Sequence, residues 1–167
     1  MQADLPSFRF DPEKAIEAVL YIATRIPVDK RAVLRVLYLA DKQHLRTYAR
    51  FIAGDFYHAL DFGPTPMRTY GLIELQISFE GVKGGASTVL REQGCNGSRR
   101  LEALRDPDLD VFSDSDLECL DAAIDKVLAQ PDSDPLRALR EEIYDRAWLN
   151  ARAERHDGRM SIQHILD

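Results

Sequence analysis

Cysteine and histidine are scarce in this sequence, which has two cysteines and four histidines among 167 residues. Cys95 and Cys119 are far apart and show no C-x-x-C spacing, so neither a disulfide framework nor a cysteine-based zinc site is indicated. No apolar run approaches the roughly 20 residues that a membrane-spanning helix needs. The first ten residues, MQADLPSFRF, lack the basic and then apolar pattern of a secretory signal. These absences predict a cytoplasmic protein that has no membrane anchor.

Common catalytic and nucleic-acid-binding signatures are missing as well. There is no G-x-x-x-x-G-K-[ST] phosphate-binding loop and no G-x-S-x-G nucleophile motif. Acidic residues outnumber basic ones, 28 against 22, for a net charge of −6. Because phosphate contacts dominate nucleic-acid affinity and require Lys or Arg, binding to nucleic acid is disfavoured. The acidity fits a basic protein partner, although mild acidity also simply keeps a domain soluble.

The most informative stretch runs from Val33 to Tyr70. Its first part, VLRVLYLA, is apolar on almost every side at helical spacing, which is typical of a buried central helix. From Phe56 to Phe62 the side chains alternate with a period of two, which favours a short extended segment. The run GPTP at 63–66 then predicts a rigid corner followed by the start of another helix, with Thr65 and Pro66 as cap and first-turn pair.

Capping signals predict several further helices. Asp11 and Asp29 are placed to cap the first helix and the central helix, and the central helix is expected to run to about Tyr48. The run SDSD at 113–116 resembles a capping box, and DP at 134–135 predicts the start of a long last helix. The apolar residues predicted to face inward on these helices are Ile16, Val19, Leu20, Ala23, Ile26, Leu117, Leu120, Ala123, Ile124, Val127, Leu128, Leu136, Leu139, Ile143, Ala147 and Ala151.

The middle of the chain predicts a hairpin. Met67 to about Phe79 reads as a third helix, with a pattern that is also compatible with a strand. Two short runs, 86–93 and 99–105, flank a turn-rich segment that contains Asn-Gly, the strongest short hairpin signal. A lone hairpin is marginal in water, so it should lie on helices or pair with segment 56–62. The expected fold is α+β and predominantly α-helical, a single domain of helices around a central buried helix plus a small antiparallel β-hairpin.

Two acid–histidine pairs are the best candidates for chemistry. Asp41 and His44 share a face of the predicted central helix, and Asp55 and His58 have the same spacing just after it. Together they could hold Zn²⁺ or perform acid–base catalysis, although their spacing matches no known ligand motif. In the alternative interpretation Asp41 bonds backbone amides of the nearby loop and His58 is a satisfied polar residue of the strand. We favour this structural interpretation and keep a metal-dependent hydrolase as the alternative.

The run VLYLADKQHLRTYARFIAGDFYHALDFGPTP resembles the core of the Panacea domain, the SocA-like antitoxin family whose members often lie beside toxin genes and in prophages. Three family motifs occur in order: a LYLAD-like helical motif at Leu37–Asp41, a GD.Y.A turn and extended piece beginning at Gly54, and a GP corner at Gly63. The resemblance extends over about residues 10–148. The family has a His a few residues before a Trp near the end, where this chain has Tyr144, so no role carries over from that His.

The resemblance implies an antitoxin that neutralises a toxin, encoded by an adjacent gene, through direct binding, without a cofactor, a bound metal or a reaction of its own. A protease adaptor that hands over the bound toxin is an alternative in the same class, and a DNA-binding autorepressor is a weaker one. The expected organisation is an N-terminal tail (1–10), a Panacea-like domain (11–155) and a C-terminal extension (156–167). The residues expected to build the structural frame are Tyr38, Asp41, Gly54, Asp55, Tyr57, Gly63 and Pro64. Tyr144 and Trp148 are expected to contact the toxin, together with exposed side chains around the hairpin.

Overall fold

The computed structural model describes residues 8–78, 82, 86–95, 98–131, 134–154 and 157–167. Its elements, in chain order, are α1 (Pro12–Ala23), α2 (Lys30–Tyr48), β1 (Tyr57–Leu60), β2 (Gly63–Pro66), α3 (Met67–Ile73), β3 (Leu90–Cys95), β4 (Ser98–Ala103), a 3₁₀ turn (Leu109–Val111), α4 (Asp114–Leu128), α5 (Pro135–Ala138), α6 (Arg140–Ile143), α7 (Arg146–Ala153) and α8 (Ile162–Leu166). None of the helices formed by these residues combines the length and apolarity that a bilayer crossing requires. The predicted α+β, predominantly helical fold is confirmed.

Helices α1, α2 and α4 begin where their caps predict. Asp11 and Asp29 each accept a hydrogen bond from a backbone amide in the first turn of their helix, at 3.0 and 2.8 Å. Ser113 and Asp116 form a reciprocal capping box at the start of α4. Each cap satisfies backbone donors that the first turn of a helix otherwise leaves unpaired.

Helix α2 is the centre of the molecule, packed against α1, α4, α6, α8 and β2. The predicted inward positions are buried except for two on α4, where Leu117 is half-buried and Leu128 is 57% exposed. Leu128 is the last residue of its helix, where the apolar stripe continues beyond the packed part of the core. The residues of α2 buried in this core are Ala32, Val33, Leu34, Val36, Leu37, Tyr38, Leu39, Ala40, Asp41, His44 and Leu45.

Two antiparallel hairpins complete the fold. Strands β3 and β4 form the predicted hairpin, which lies on the helical layer: Leu101 is buried, and its amide donates to the carbonyl of Val28 at 2.9 Å. The predicted Asn-Gly turn itself lies outside the described residues. Strand β1 does not pair with this hairpin but with β2, in the register Tyr57↔Pro66 to Leu60↔Gly63. The expected Gly-Pro corner is therefore a buried strand.

The free edge of β1 is covered by the C-terminal segment. The amide of Ala59 donates to the carbonyl of Gly158, and the amide of Met160 donates to the carbonyl of Tyr57, both at 2.8 Å. His58 and Arg159 form the bridge between these two bonds. The backbone of β1 is thus paired on both sides.

The predicted third helix is shorter than expected. It ends at Ile73, whereas the prediction continued to Phe79, which lies outside the described residues. Gln76 takes a left-handed conformation (φ 52°) that interrupts a helix. Leu75 and Ile77, which gave this segment its apolar pattern, are exposed rather than buried.

The predicted long last helix is broken into α5, α6 and α7. The backbone leaves helical geometry at Leu139 and at Tyr144. Asp145 then caps a new helix by accepting the backbone amide of Trp148 at 3.1 Å. The inward face survives the breaks, because the predicted apolar positions of all three pieces are buried.

Candidate functional site

Four of the predicted frame residues lie in or contact the loop between α2 and β1: Asp41, Gly54, Asp55 and Tyr57. Asp41, near the middle of α2, is buried with 2% exposure. Its Oδ1 accepts the backbone amide of Ile52 at 2.7 Å, and its Oδ2 accepts the hydroxyl of Tyr57 at 2.6 Å. One carboxylate therefore ties the central helix to the loop and to the first strand.

The environment of Asp41 changes its acidity. Burial raises the pKa of this carboxyl to about 6, although the hydrogen bonds from Tyr57 and Ile52 act in the opposite direction. A buried carboxylate loses hydration, and two donors do not fully replace it. The result is a buried acid that titrates within the mildly acidic range.

Asp55 holds the start of α3. Its Oδ1 accepts the amides of Phe56 and Arg68 at 2.8 and 3.0 Å, and its Oδ2 accepts the amide and hydroxyl of Thr69 at 2.8 and 2.7 Å. Burial raises the pKa of Asp55, and these donors oppose the rise. The expected cap, Thr65, instead donates to the carbonyl of Gly63, and Pro66 occupies the cap position without a side-chain bond. The cap of α3 is thus supplied by a distant residue.

The glycines of the motif occupy positions that need glycine. Gly54 has φ 69°, and a Cβ built there would lie 2.2 Å from the carbonyl oxygen of Arg9. Gly63 has φ 122°, and its Cβ would lie 3.2 Å from the side chain of Arg35. Pro64, the next residue, is fully within the buried strand β2.

Tyr38 links the frame to the last helices. Its hydroxyl donates to Oδ2 of Asp145 at 2.9 Å, and its ring packs edge-on against Tyr57 with centroids 5.0 Å apart. Asp145 also caps α7, the helix that carries Trp148. The family motif on α2 and the predicted partner-binding residues are therefore connected through one carboxylate.

His44 does not join the two aspartates in a single site. Its Nδ1 lies 2.8 Å from the carbonyl of Arg50, so it must carry the hydrogen, and its Nε2 lies 2.9 Å from Oγ of Ser115. His58 lies on β1 beside the ring of Phe56. Within the described residues, no group of three or more His, Cys, Asp or Glu side chains is arranged to hold a metal ion. The geometry gives the metal hypothesis no support.

A charged cluster around Asp116 was not anticipated from the sequence. The fully buried carboxylate accepts from Lys14 Nζ at 3.0 Å and from the amide of Ser113 at 2.9 Å through Oδ2. Its Oδ1 has no hydrogen bond of good geometry, but it lies 2.9 Å from Arg50 Nη2 and 3.3 Å from His44 Nε2. Burial raises the pKa of Asp116, but nearby His44, the amide of Ser113 and the ammonium of Lys14 outweigh this effect and hold the pKa below its usual range. The Asp116 cluster joins α1, α2 and α4.

The predicted partner-binding residues line a groove. Tyr144 and Trp148 are half-buried and pack edge-on with ring centroids 4.9 Å apart. The indole nitrogen of Trp148 donates to the carbonyl of Leu60 at 3.0 Å, which fixes the ring over the β1–β2 turn. The groove has a volume of about 680 Å³ and is lined in addition by Arg35 and by Leu149, which is 55% exposed. This is an aromatic surface of the kind that partner proteins use.

The raised pKa of Asp41 predicts a specific pH dependence. Between about pH 4 and pH 6 the folded protein holds a proton on Asp41 that the unfolded chain has released. Stability therefore falls as pH rises through this window, by about 2 kcal/mol from this residue. Asp41→Asn cannot titrate and should lose this part of the slope in urea unfolding followed at pH 4, 5, 6 and 7. Equal slopes in the two proteins would contradict the assignment.

Comparison with known protein families places the chain in a family. The family model described as antitoxin SocA-like, Panacea domain, matches residues 33–138, which is more than half of the chain. The matched span begins in α2 and includes the three motifs and α4. No curated protein and no solved structure matches the chain.

Proposed function

The chain belongs to the SocA-like antitoxin family with the Panacea domain, and we propose that it neutralises a partner toxin by binding it directly, without catalysing a reaction. The observation that carries the proposal is the family match over residues 33–138. A protein that acts by binding needs a rigid frame and an accessible surface of complementary shape.

The geometry around the motifs supports the framework part of this proposal. Asp41 and Asp55 direct their oxygens to donors inside the protein. Carboxylates used in this way hold loops in place and are turned away from an incoming molecule. The motif residues thus stabilise the scaffold, and the partner surface is to be sought beside them.

The groove beside Tyr144 and Trp148 is the surface that we assign to the toxin. The ring of Trp148 is already held by its bond to Leu60 and packs edge-on against Tyr144, so little side-chain freedom is lost when a partner binds. Leu149 adds an exposed apolar side chain at the groove. A standard interface of about 1,600 Å² would extend well beyond this groove.

The proposal is tested by co-expression with the adjacent reading frame. We expect the neighbouring protein to stop growth when it is expressed alone, and this chain to restore growth and to co-purify with it. A harmless neighbour, or restored growth without a complex, would contradict direct neutralisation.

Leu149→Arg tests the surface. A long charged side chain at this exposed position should disrupt an apolar interface, so we expect at least tenfold weaker toxin binding by calorimetry and loss of growth rescue. The thermal midpoint of the free protein should stay the same. Leu109→Arg is the matched control, because Leu109 is 46% exposed and does not line the groove. If the two variants bind the toxin equally well, the toxin-binding surface lies elsewhere on the protein.

A further inference from the structure

A second cavity, of about 670 Å³, lies beside the motif loop and is lined in part by Gly54, Asp55 and Phe56. Its lining includes Phe8, Phe51 and Ile162, and the rings of Phe8 and Phe51 pack edge-on with centroids 5.3 Å apart. Pockets of this size with a mainly apolar lining and a few polar groups are typical of small-molecule sites. The charged residues of this lining are Arg68, Arg159 and Asp55.

Arg68 and Arg159 converge on one aromatic ring of this lining. Their guanidinium carbons lie 5.2 and 4.8 Å from the ring centroid of Phe56. Arg68 follows β2 at the start of α3, and Arg159 belongs to the C-terminal segment that pairs with β1. Two like charges from distant parts of the chain therefore share one wall of the cavity.

Neither guanidinium group forms an ion pair with a described carboxylate. Elsewhere in this acidic chain arginines form ion pairs, as in Arg50 with Asp116, Arg91 with Glu102 and Arg105 with Glu17. The described residues provide the guanidinium groups of Arg68 and Arg159 with ring contacts only.

Asp55, the carboxylate among the described lining residues, forms no ion pair with either guanidinium group. Asp55 accepts bonds from Thr69 and from the amides of Phe56 and Arg68, so both of its oxygens are already used. The cavity therefore combines an apolar floor with two guanidinium groups that would attract an anion.

We propose that this cavity binds an amphipathic organic anion, with a carboxylate or phosphate held by Arg68 and Arg159 and an apolar body resting on Phe8, Phe51 and Ile162. A guanidinium group can donate two parallel hydrogen bonds to two oxygens of a carboxylate or a phosphate, and the contacts with Phe56 help to position both groups. This site is separate from the groove assigned to the toxin, so it is independent of the proposed function.

The test uses the full-length protein and three probes: 3-phenylpropionate, phenyl phosphate and the neutral 3-phenylpropanol. Titrations are followed by two-dimensional ¹H–¹⁵N NMR and calorimetry at low and high salt. We expect saturable binding of at least one of the two anions, weakening with salt, and no comparable binding of the alcohol. The preferred anion identifies the head group as a carboxylate or a phosphate.

Arg68→Gln and Arg159→Gln should each weaken anion binding at least tenfold, and the double variant should abolish it. Both side chains are exposed, so the fold should be retained. Arg137→Gln, at the other groove, is the matched control and should bind as the parent protein does. The proposal is overturned if neither anion binds saturably up to 10 mM, if the alcohol binds equally well, or if the two arginine variants behave like the control.

Discussion

Gly54→Ala is expected to lower the free energy of unfolding by about 3 kcal/mol or more. The residue has φ 69°, and the added Cβ would lie 2.2 Å from the carbonyl oxygen of Arg9. This neighbour is backbone, and it cannot easily move because the amide of Asp11, two residues later, donates to the carbonyl of Ala53 at 2.9 Å. The variant thus has backbone strain and a steric clash at the same position. Urea unfolding followed by circular dichroism measures the loss.

Gly158→Ala separates the two contributions. Gly158 has a similar φ of 81°, but an added Cβ would meet nothing within 4 Å. Its cost should be the backbone strain alone, about 1 kcal/mol. If Gly54→Ala is insoluble while Gly158→Ala folds, the prediction also holds. Similar losses in the two variants would show that the close approach of Arg9 to the loop is wrong.

Asp116→Ala should be the most damaging substitution of a charged residue, with a loss of about 3 kcal/mol at pH 7. It leaves His44 buried opposite an empty position and removes the partner of Lys14 and Arg50, as well as half of the capping box. The pKa of Asp116 is lowered in the folded protein, so its stabilising contribution is complete above the unfolded pKa and is lost on acidification. The difference between the parent protein and the variant should therefore shrink below about pH 4.

Asp114→Ala is the matched control for this experiment. Asp114 lies in the same first turn of α4 and carries the same charge, but it is exposed. Its removal should cost less than about 0.5 kcal/mol. A comparable loss in both variants would mean that the loss of stability comes from removing a negative charge at the start of α4, through the helix dipole, and not from breaking the contacts of the Asp116 cluster.

Features that depend on neighbouring residues could be predicted from the sequence. The caps at Asp11, Asp29 and Ser113 each act within one helical turn, and all three helices start as predicted. The alternation around Tyr57 likewise reported a strand. Local hydrogen bonds and local periodicity are determined by residues that are neighbours in the chain, so a single sequence contains enough information to find them.

Features that depend on distant partners could not be predicted. Glu17 lies outside the predicted apolar stripe of α1, yet it is buried because it pairs with Arg105 and accepts the amide of Asp108 at 2.6 Å. The last helix was expected to be continuous, whereas Asp145 starts a new one. In each case a long-range contact competes with a local pattern, and no spacing in the sequence reports that contact.

The candidate site shows the same division. The motif residues were found through the family resemblance, and the structure shows how Asp41 and Tyr57 are joined. No pattern in the sequence indicates that Arg68 and Arg159 both contact the ring of Phe56. The two arginines are brought together only when the C-terminal segment pairs with β1. The Asp116 cluster draws on three helices in the same way.

Because residues 158–160 pair with β1, a fragment that folds has to extend beyond residues 33–138, the span that the family model matches. A fragment trimmed to the matched span 33–138 would leave one side of β1 with bare amides and carbonyls and would also lack Lys14. Exposed strand edges recruit other chains, so such a fragment should self-associate. A fusion partner joined after residue 167 therefore needs a spacer, because residues 158–160 pair with β1 and are part of the folded domain.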